Sequence, residues 1–91
     1  MIQIRLCDRE IQDLCSLLRC QPENVVAKTE KFIADCRELD QAKYEGRILE
    51  RIIGGKDILL NLTQQGKIQL PLFIQFLQLL NNRNEPYEIL I

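Results

Sequence analysis

Four cysteine thiols are the first candidates for chemistry in this sequence. The chain has four cysteines, Cys7, Cys15, Cys20 and Cys36, and no histidine. No two cysteines have CxxC spacing, so a zinc site would need four widely scattered thiolates. All four lie in segments with helical periodicity, where cysteine packs as a small hydrophobic residue. We therefore expect reduced, structural thiols in a cytoplasmic protein, and no bound metal. The alternative is a thiol-responsive helical protein, which needs at least one exposed thiol of low pKa.

Other candidate catalytic residues are few. Without histidine no Ser–His or Cys–His nucleophile system can form, and Ser16 is the one serine in the chain. The GGK segment at 54–56 lacks the GxxxxGK[ST] spacing of a phosphate-binding loop. The acids Asp35, Glu38 and Asp40 are interleaved with an arginine, which is more typical of a solvated surface than of an acid–base pair. The sequence therefore predicts a protein that is not an enzyme and that binds no cofactor.

Chain length and net charge predict the number of domains and exclude some classes of partner. A chain of 91 residues is predicted to form a single domain, 1–91. The net charge of −1 lacks the basic excess of a nucleic-acid-binding domain. We therefore expect no nucleic-acid partner, and a helix-turn-helix binder is a weaker alternative. The longest uncharged run, 68–82, is shorter than the roughly 18 apolar residues of a transmembrane helix, so no membrane partner is expected.

The spacing of apolar residues predicts six short helices. Pro22 suits the start of the second helix, and a polar break at 37–40 ends it or leads straight on into the third helix. Gly54 and Gly55 end the third, Asp57 caps the fourth, and Pro71 lies in the first turn of the fifth. Strand-like alternation is brief, at 1–6 and 67–72 only. The predicted helices cover about 4–20, 22–36, 44–53, 57–66, 71–80 and 85–91.

The fifth predicted helix carries no charged residue. Helices that expose one face normally carry charges on it, so this helix is expected to be buried on most sides. The sequence therefore predicts an all-α fold, a six-helix antiparallel bundle. Its predicted core consists of Leu14, Leu18, Phe32, Leu49, Ile52, Leu62, Phe73, Phe76 and Leu77.

Charged residues are distributed unevenly along the chain. Acids exceed bases in 21–50, whereas bases slightly exceed acids in 51–91. Arg5, Arg9 and Arg19 are predicted to share one face of the first helix. Subunits with one acidic and one basic side can associate head to tail. A difference of only two or three charges also occurs as ordinary variation in surface charge. Composition alone favours ordinary variation over a charged interface.

The segment 66–77 reads G-x-x-x-L-P-L-F-I-x-F-L and resembles the fourth and fifth helices of caspase recruitment domains. Gly66, Phe73, Phe76 and Leu77 stand at the anchor positions of that family. The resemblance implies a six-helix death fold that binds like to like in apoptotic or innate-immune signalling. The death effector domain is a subordinate alternative, although the residues after Arg83 do not reproduce its Arg-x-Asp-Leu motif.

The resemblance also implies which residues would contact a partner. Members of the family pair a basic surface on the first and fourth helices with an acidic surface on the second and third. The partner implied is another death-fold domain, either a second copy that forms a homo-oligomer or a different member. The matching positions are Arg5, Arg9, Arg19 and Lys56 on the basic side, and Asp35, Glu38 and Asp40 on the acidic side.

Overall fold

The computed structural model describes residues 1–44 and 53–91, and the side chains of 1–43 and 53–91. The predicted six-helix antiparallel bundle is wrong, because these residues form four α-helices and a two-stranded parallel sheet. The predicted third helix, 44–53, lies outside the described residues except at its ends. The elements in order are β1 (Ile2–Arg5), α1 (Asp8–Leu18), a single 3-10 turn (Pro22–Asn24), α2 (Val25–Tyr44), α3 (Gly55–Gln64), α4 (Leu70–Asn81) and β2 (Tyr87–Leu90).

The two strands replace the predicted start of the first helix and the whole predicted sixth helix. Ile4 pairs with Ile89 across the parallel ladder, and the N–H of Leu6 donates to the carbonyl of Leu90 at 2.8 Å. Ile4 and Ile89 are buried while Gln3 is exposed, as the alternation of a half-buried strand requires. The partner of each strand lies almost a whole chain length away, so no local signal indicates the pairing.

Helix α2 continues through the predicted break at 37–40. The arginine, glutamate and leucine at 37–39 are good helix formers, and charge does not end a helix by itself. Asp40 is 3% exposed, and its Oδ1 accepts a hydrogen bond from the backbone N–H of Lys56 at 3.2 Å. A carboxylate of α2 therefore satisfies one of the N–H groups that the first turn of α3 leaves unpaired.

Gly54 and Gly55 form the N-terminus of α3. The helix that the sequence predicts them to end lies outside the described residues except at its ends. A Cβ atom on Gly55 would lie 2.7 Å from the Cβ of Cys36, and closer still to the Cys36 carbonyl oxygen. Real side chains do not approach so closely. Helix α3 therefore crosses α2 at a distance that only glycine allows.

The core joins the strands to all four helices of the described chain. Of the predicted core residues, Leu14 and Phe76 are buried, and Leu18, Phe32, Leu62 and Phe73 are partly buried against the core. Leu77 is half-buried, and Leu49 and Ile52 lie outside the described residues. The buried hydrophobic residues are Ile4, Leu6, Leu14, Val25, Ile33, Cys36, Leu59, Ile68, Leu72, Phe76, Leu79, Leu80 and Ile89.

Arg37 connects α2 to the end of α4 and to the start of β2. Its Nε donates to the carbonyl of Leu79 at 2.9 Å, and its Nη2 lies 3.3 Å from the carbonyl of Asn82. The same Nη2 lies 3.4 Å from the carbonyl of Glu85. The guanidinium carbon is 4.7 Å from the ring centroid of Tyr87, within range of a cation–π interaction. One side chain therefore satisfies the carbonyls where α4 ends and fixes the chain that leads to β2.

Replacing Gly55 with alanine tests the close contact between α2 and α3. Alanine normally stabilises a helix relative to glycine, but here we expect G55A to destabilise the fold by about 2 kcal/mol, because of overpacking against Cys36. Urea denaturation measures the difference. The control is G66A, where φ is +74° and no atom lies within 4 Å of the added Cβ. That control should cost only about 1 kcal/mol of backbone strain. A G55A variant as stable as the wild type would contradict the close contact.

Removing the Arg37 side chain should loosen the junction of α2, α4 and β2. We expect R37A to lower the free energy of unfolding by about 2 kcal/mol, because charge-assisted hydrogen bonds are lost. The matched R37K keeps the charge but not the planar fork of donors, so it should recover only a small part of the loss. Hydrogen exchange locates the effect: amides of β2 should exchange faster in R37A. Full recovery by R37K would show that charge alone matters.

Candidate interaction surfaces

Helix α4 has an exposed apolar face. Its first turn contains Pro71, as predicted. Leu70 is 59% exposed and Ile74 is 50% exposed, and residues four apart are neighbours on a helix surface. Phe73 and Leu77 are half-buried beside them. We call these four residues, Leu70, Phe73, Ile74 and Leu77, the α4 outer face.

Helix α4 is less buried than the sequence predicts, because the α4 outer face is partly exposed to solvent. Leu72, Phe76, Leu79 and Leu80 point into the core, so α4 is enclosed along that side and open along the other. No charged residue occurs anywhere in 68–82. Exposed apolar residues that form a contiguous patch mark sites where proteins bind one another. The exposed side of α4 is therefore a candidate binding surface.

The predicted basic residues do not share one helical face. Arg5 belongs to β1 because α1 begins only at Asp8. Arg9 lies in the first turn of α1 and its Nε is 3.4 Å from the Oδ1 of Asp13. Arg19 follows the other end of α1 with a φ of 53°, and Lys56 is half-buried in the first turn of α3. The four basic positions are thus spread over three elements.

The predicted acidic residues are divided between the surface and the interior. Asp35 and Glu38 are exposed on α2, whereas Asp40 is buried beneath α3. Asp35 lines a shallow groove together with Lys28 and Lys31. The surface around Asp35 therefore carries both signs of charge, and Asp40 acts within the fold as a helix cap.

The thiols differ in their surroundings. Cys7 is exposed, Cys15 and Cys20 are half-buried, and Cys36 is buried. Burial, together with the nearby Asp40 and Asp35 carboxylates, raises the pKa of the Cys36 thiol to about 11. Burial and the adjacent Cys20 also raise the pKa of Cys15. Neither Cys15 nor Cys36 is therefore the low-pKa thiol that a thiol-responsive protein needs.

Within 1–44 and 53–91, no group of three or more His, Cys, Asp or Glu side chains is placed to hold a metal ion. Over the same ranges, no helix combines the length and the apolar character needed to cross a membrane.

Two features of these surfaces were missed from the sequence. Arg37 lies in the predicted polar break, and its contacts in α4 lie far along the chain. The α4 outer face did have a signal, because α4 carries no charged residue on any side. A domain of this size buries only about 60–65% of its surface, so it has little room to enclose such a helix completely.

The pKa of Cys36 predicts how stability changes at alkaline pH. The folded state holds the thiol proton more tightly than the unfolded state, whose cysteine pKa is about 8.5. The stabilisation is complete below that value and is lost as pH rises toward about 11. We expect the free energy of unfolding to fall less steeply over this range in C36A than in the wild type. The variant keeps the Cβ that faces Gly55. Equal slopes in urea titrations at several pH values would contradict the assignment.

Comparison with known proteins gives no relative for this arrangement. The chain matches no protein-family model, and no curated protein or solved structure is significantly similar to it.

Proposed function

We propose that this chain is a protein-interaction module that associates with a second copy of itself through the α4 outer face. The observation that carries the proposal is the exposure of Leu70 and Ile74 on a helix without charge. Water contact with apolar side chains is unfavourable, and burying them between two subunits removes that cost.

The absence of charge favours a second copy as the partner. In a two-fold contact the same patch meets itself, so any charge on the patch approaches its own copy. A charged patch would therefore oppose self-association, whereas 68–82 has no charged side chain to repel its copy. Two α4 helices can also interdigitate, because side chains at i and i+4 form ridges that fit the grooves of a facing helix.

The charged positions support a second form of the same function. Arg9 and Asp35 are both exposed, and a head-to-tail contact between them would build open chains of subunits. Arg9 already interacts with Asp13, and Asp35 lies near Lys28 and Lys31. Exposed ion pairs contribute little net free energy. We therefore favour the apolar contact over the charged one.

The proposal concerns homotypic binding and not a particular pathway. Recruitment of another death-fold domain, in apoptotic or innate-immune signalling, stays a prediction of the sequence resemblance alone. The six-helix bundle on which that resemblance relies is not the architecture of the described residues.

A glutamate at Ile74 tests the α4 outer face directly. We expect the wild-type protein to dimerise with increasing concentration. The dissociation constant of the I74E dimer should be at least about tenfold higher, which is a loss of about 1.4 kcal/mol of binding free energy. The introduced carboxylate would meet an apolar surface and its own copy. Sedimentation velocity over a range of concentrations gives both dissociation constants. The matched control is A34E, which adds the same charge at an exposed position of α2 and should dimerise as the wild type does.

Salt distinguishes the apolar contact from the charged one. An apolar dimer should persist at about 1 M salt, where exposed charges are screened within about 3 Å. A wild-type protein that stays monomeric at every concentration would contradict self-association. Association that disappears in high salt but survives I74E would assign it to charged residues instead.

A further inference from the structure

Helix α1 ends in a turn that brings two cysteines together. Arg19 adopts the left-handed conformation, with φ 53° and ψ 54°. The N–H of Arg19 and the N–H of Cys20 both donate to the carbonyl of Cys15, the latter at 3.1 Å. The bond from Cys20 is the 6→1 bond of a Schellman motif, in which the second residue after the helix packs against the residue whose carbonyl it bonds. Here those two residues are Cys20 and Cys15.

The two cysteine side chains lie near each other. Both residues are half-buried free cysteines that pack against the core, and Cys20 is close enough to contribute to the raised pKa of Cys15. The backbone bond between them holds their main chains close. Disulfides need Cα atoms roughly 4.4–6.8 Å apart and thiols that face each other. The left-handed turn at Arg19 and the backbone bond from Cys20 to Cys15 bring the two main chains into the proximity that such a bond needs.

We propose that Cys15 and Cys20 are a reversible oxidation site, where an intramolecular disulfide closes the end of α1. The site does not depend on the α4 outer face, and each proposal can fail without the other. The remaining cysteines offer internal references. Cys7 is exposed before α1, and Cys36 is buried where α2 meets α3.

A peroxide is the class of oxidant that the site would use. Burial and the neighbouring thiol raise the pKa of Cys15 and disfavour its thiolate, so the proposed step begins at Cys20. The Cys20 thiolate attacks one oxygen of hydrogen peroxide, the O–O bond breaks, and hydroxide leaves. The Cys15 sulfur then attacks the resulting sulfenic acid, gives up its proton, and water leaves. Two thiols and one peroxide thus become one disulfide and two waters. A thiol reductant such as glutathione reverses the bond by exchange.

Peptide mapping of the whole chain tests the bond. Fully reduced protein is treated with hydrogen peroxide, remaining thiols are alkylated, and trypsin cuts after Arg9, Arg19 and Lys28. The disulfide then joins peptides 10–19 and 20–28 into one species, lighter than their sum by two hydrogen atoms. We expect this linked species to be the main oxidation product of the monomer. Cys36 should stay reduced and should react with the alkylating reagent only after the protein is unfolded. Reduction with dithiothreitol should restore both separate peptides.

Two variants and a labelling control make the result decisive. C20S should give no linked species, and C7S should give it unchanged. Mixing normal and ¹⁵N-labelled protein separates a bond within one chain from a bond between chains. The proposal is overturned if Cys7 is oxidised while Cys15 and Cys20 stay reduced, or if the linked peptides come from different molecules. Circular dichroism of C20S checks that the variant is folded.

Discussion

The contacts of Arg37 are the constraint on which the rest of the fold depends. Helix α4 ends with carbonyl groups that have no partner within the helix, and these groups lie where the chain must turn toward β2. The Arg37 guanidinium donates to carbonyls on both sides of that turn and lies over the Tyr87 ring. A positive charge at a helix C-terminus is also favoured by the helix dipole. One side chain therefore joins the middle of α2 to the end of α4 and to the start of β2.

A second set of contacts fixes α3 against α2 and explains the open side of α4. Gly55 allows the two helices to touch, and the Asp40 carboxylate of α2 accepts a hydrogen bond from the first turn of α3. With α3 held this close to α2, the inner side of α4 packs into the shared core through Phe76 and its neighbours. Nothing in the described chain covers Leu70 and Ile74 to the same degree. The geometry that secures the core thus leaves an apolar surface facing solvent.

The sequence predicted local structure better than it predicted contacts between distant residues. The helix that contains Pro71 was predicted because proline and apolar periodicity are local signals. The helical assignment of 85–91 was wrong because Tyr87–Leu90 becomes a strand only by pairing with residues at the other end of the chain. Asp40 was predicted as a surface residue for a related reason, since its burial depends on where α3 crosses. The contact of Cys15 and Cys20 depends on the left-handed turn at Arg19, and arginine gives no sign of that conformation.

The parallel pairing of β1 with β2 has a mechanical consequence. Because the strands run in the same direction, the residue before β1 and the residue after β2 lie at opposite ends of the ladder. A force that pulls these two points apart slides one strand along the other and loads all the ladder hydrogen bonds together. Antiparallel strands joined at one end would instead separate one bond at a time. The fold is therefore arranged to resist tension between its two ends by shear, with only a four-residue strand on each side.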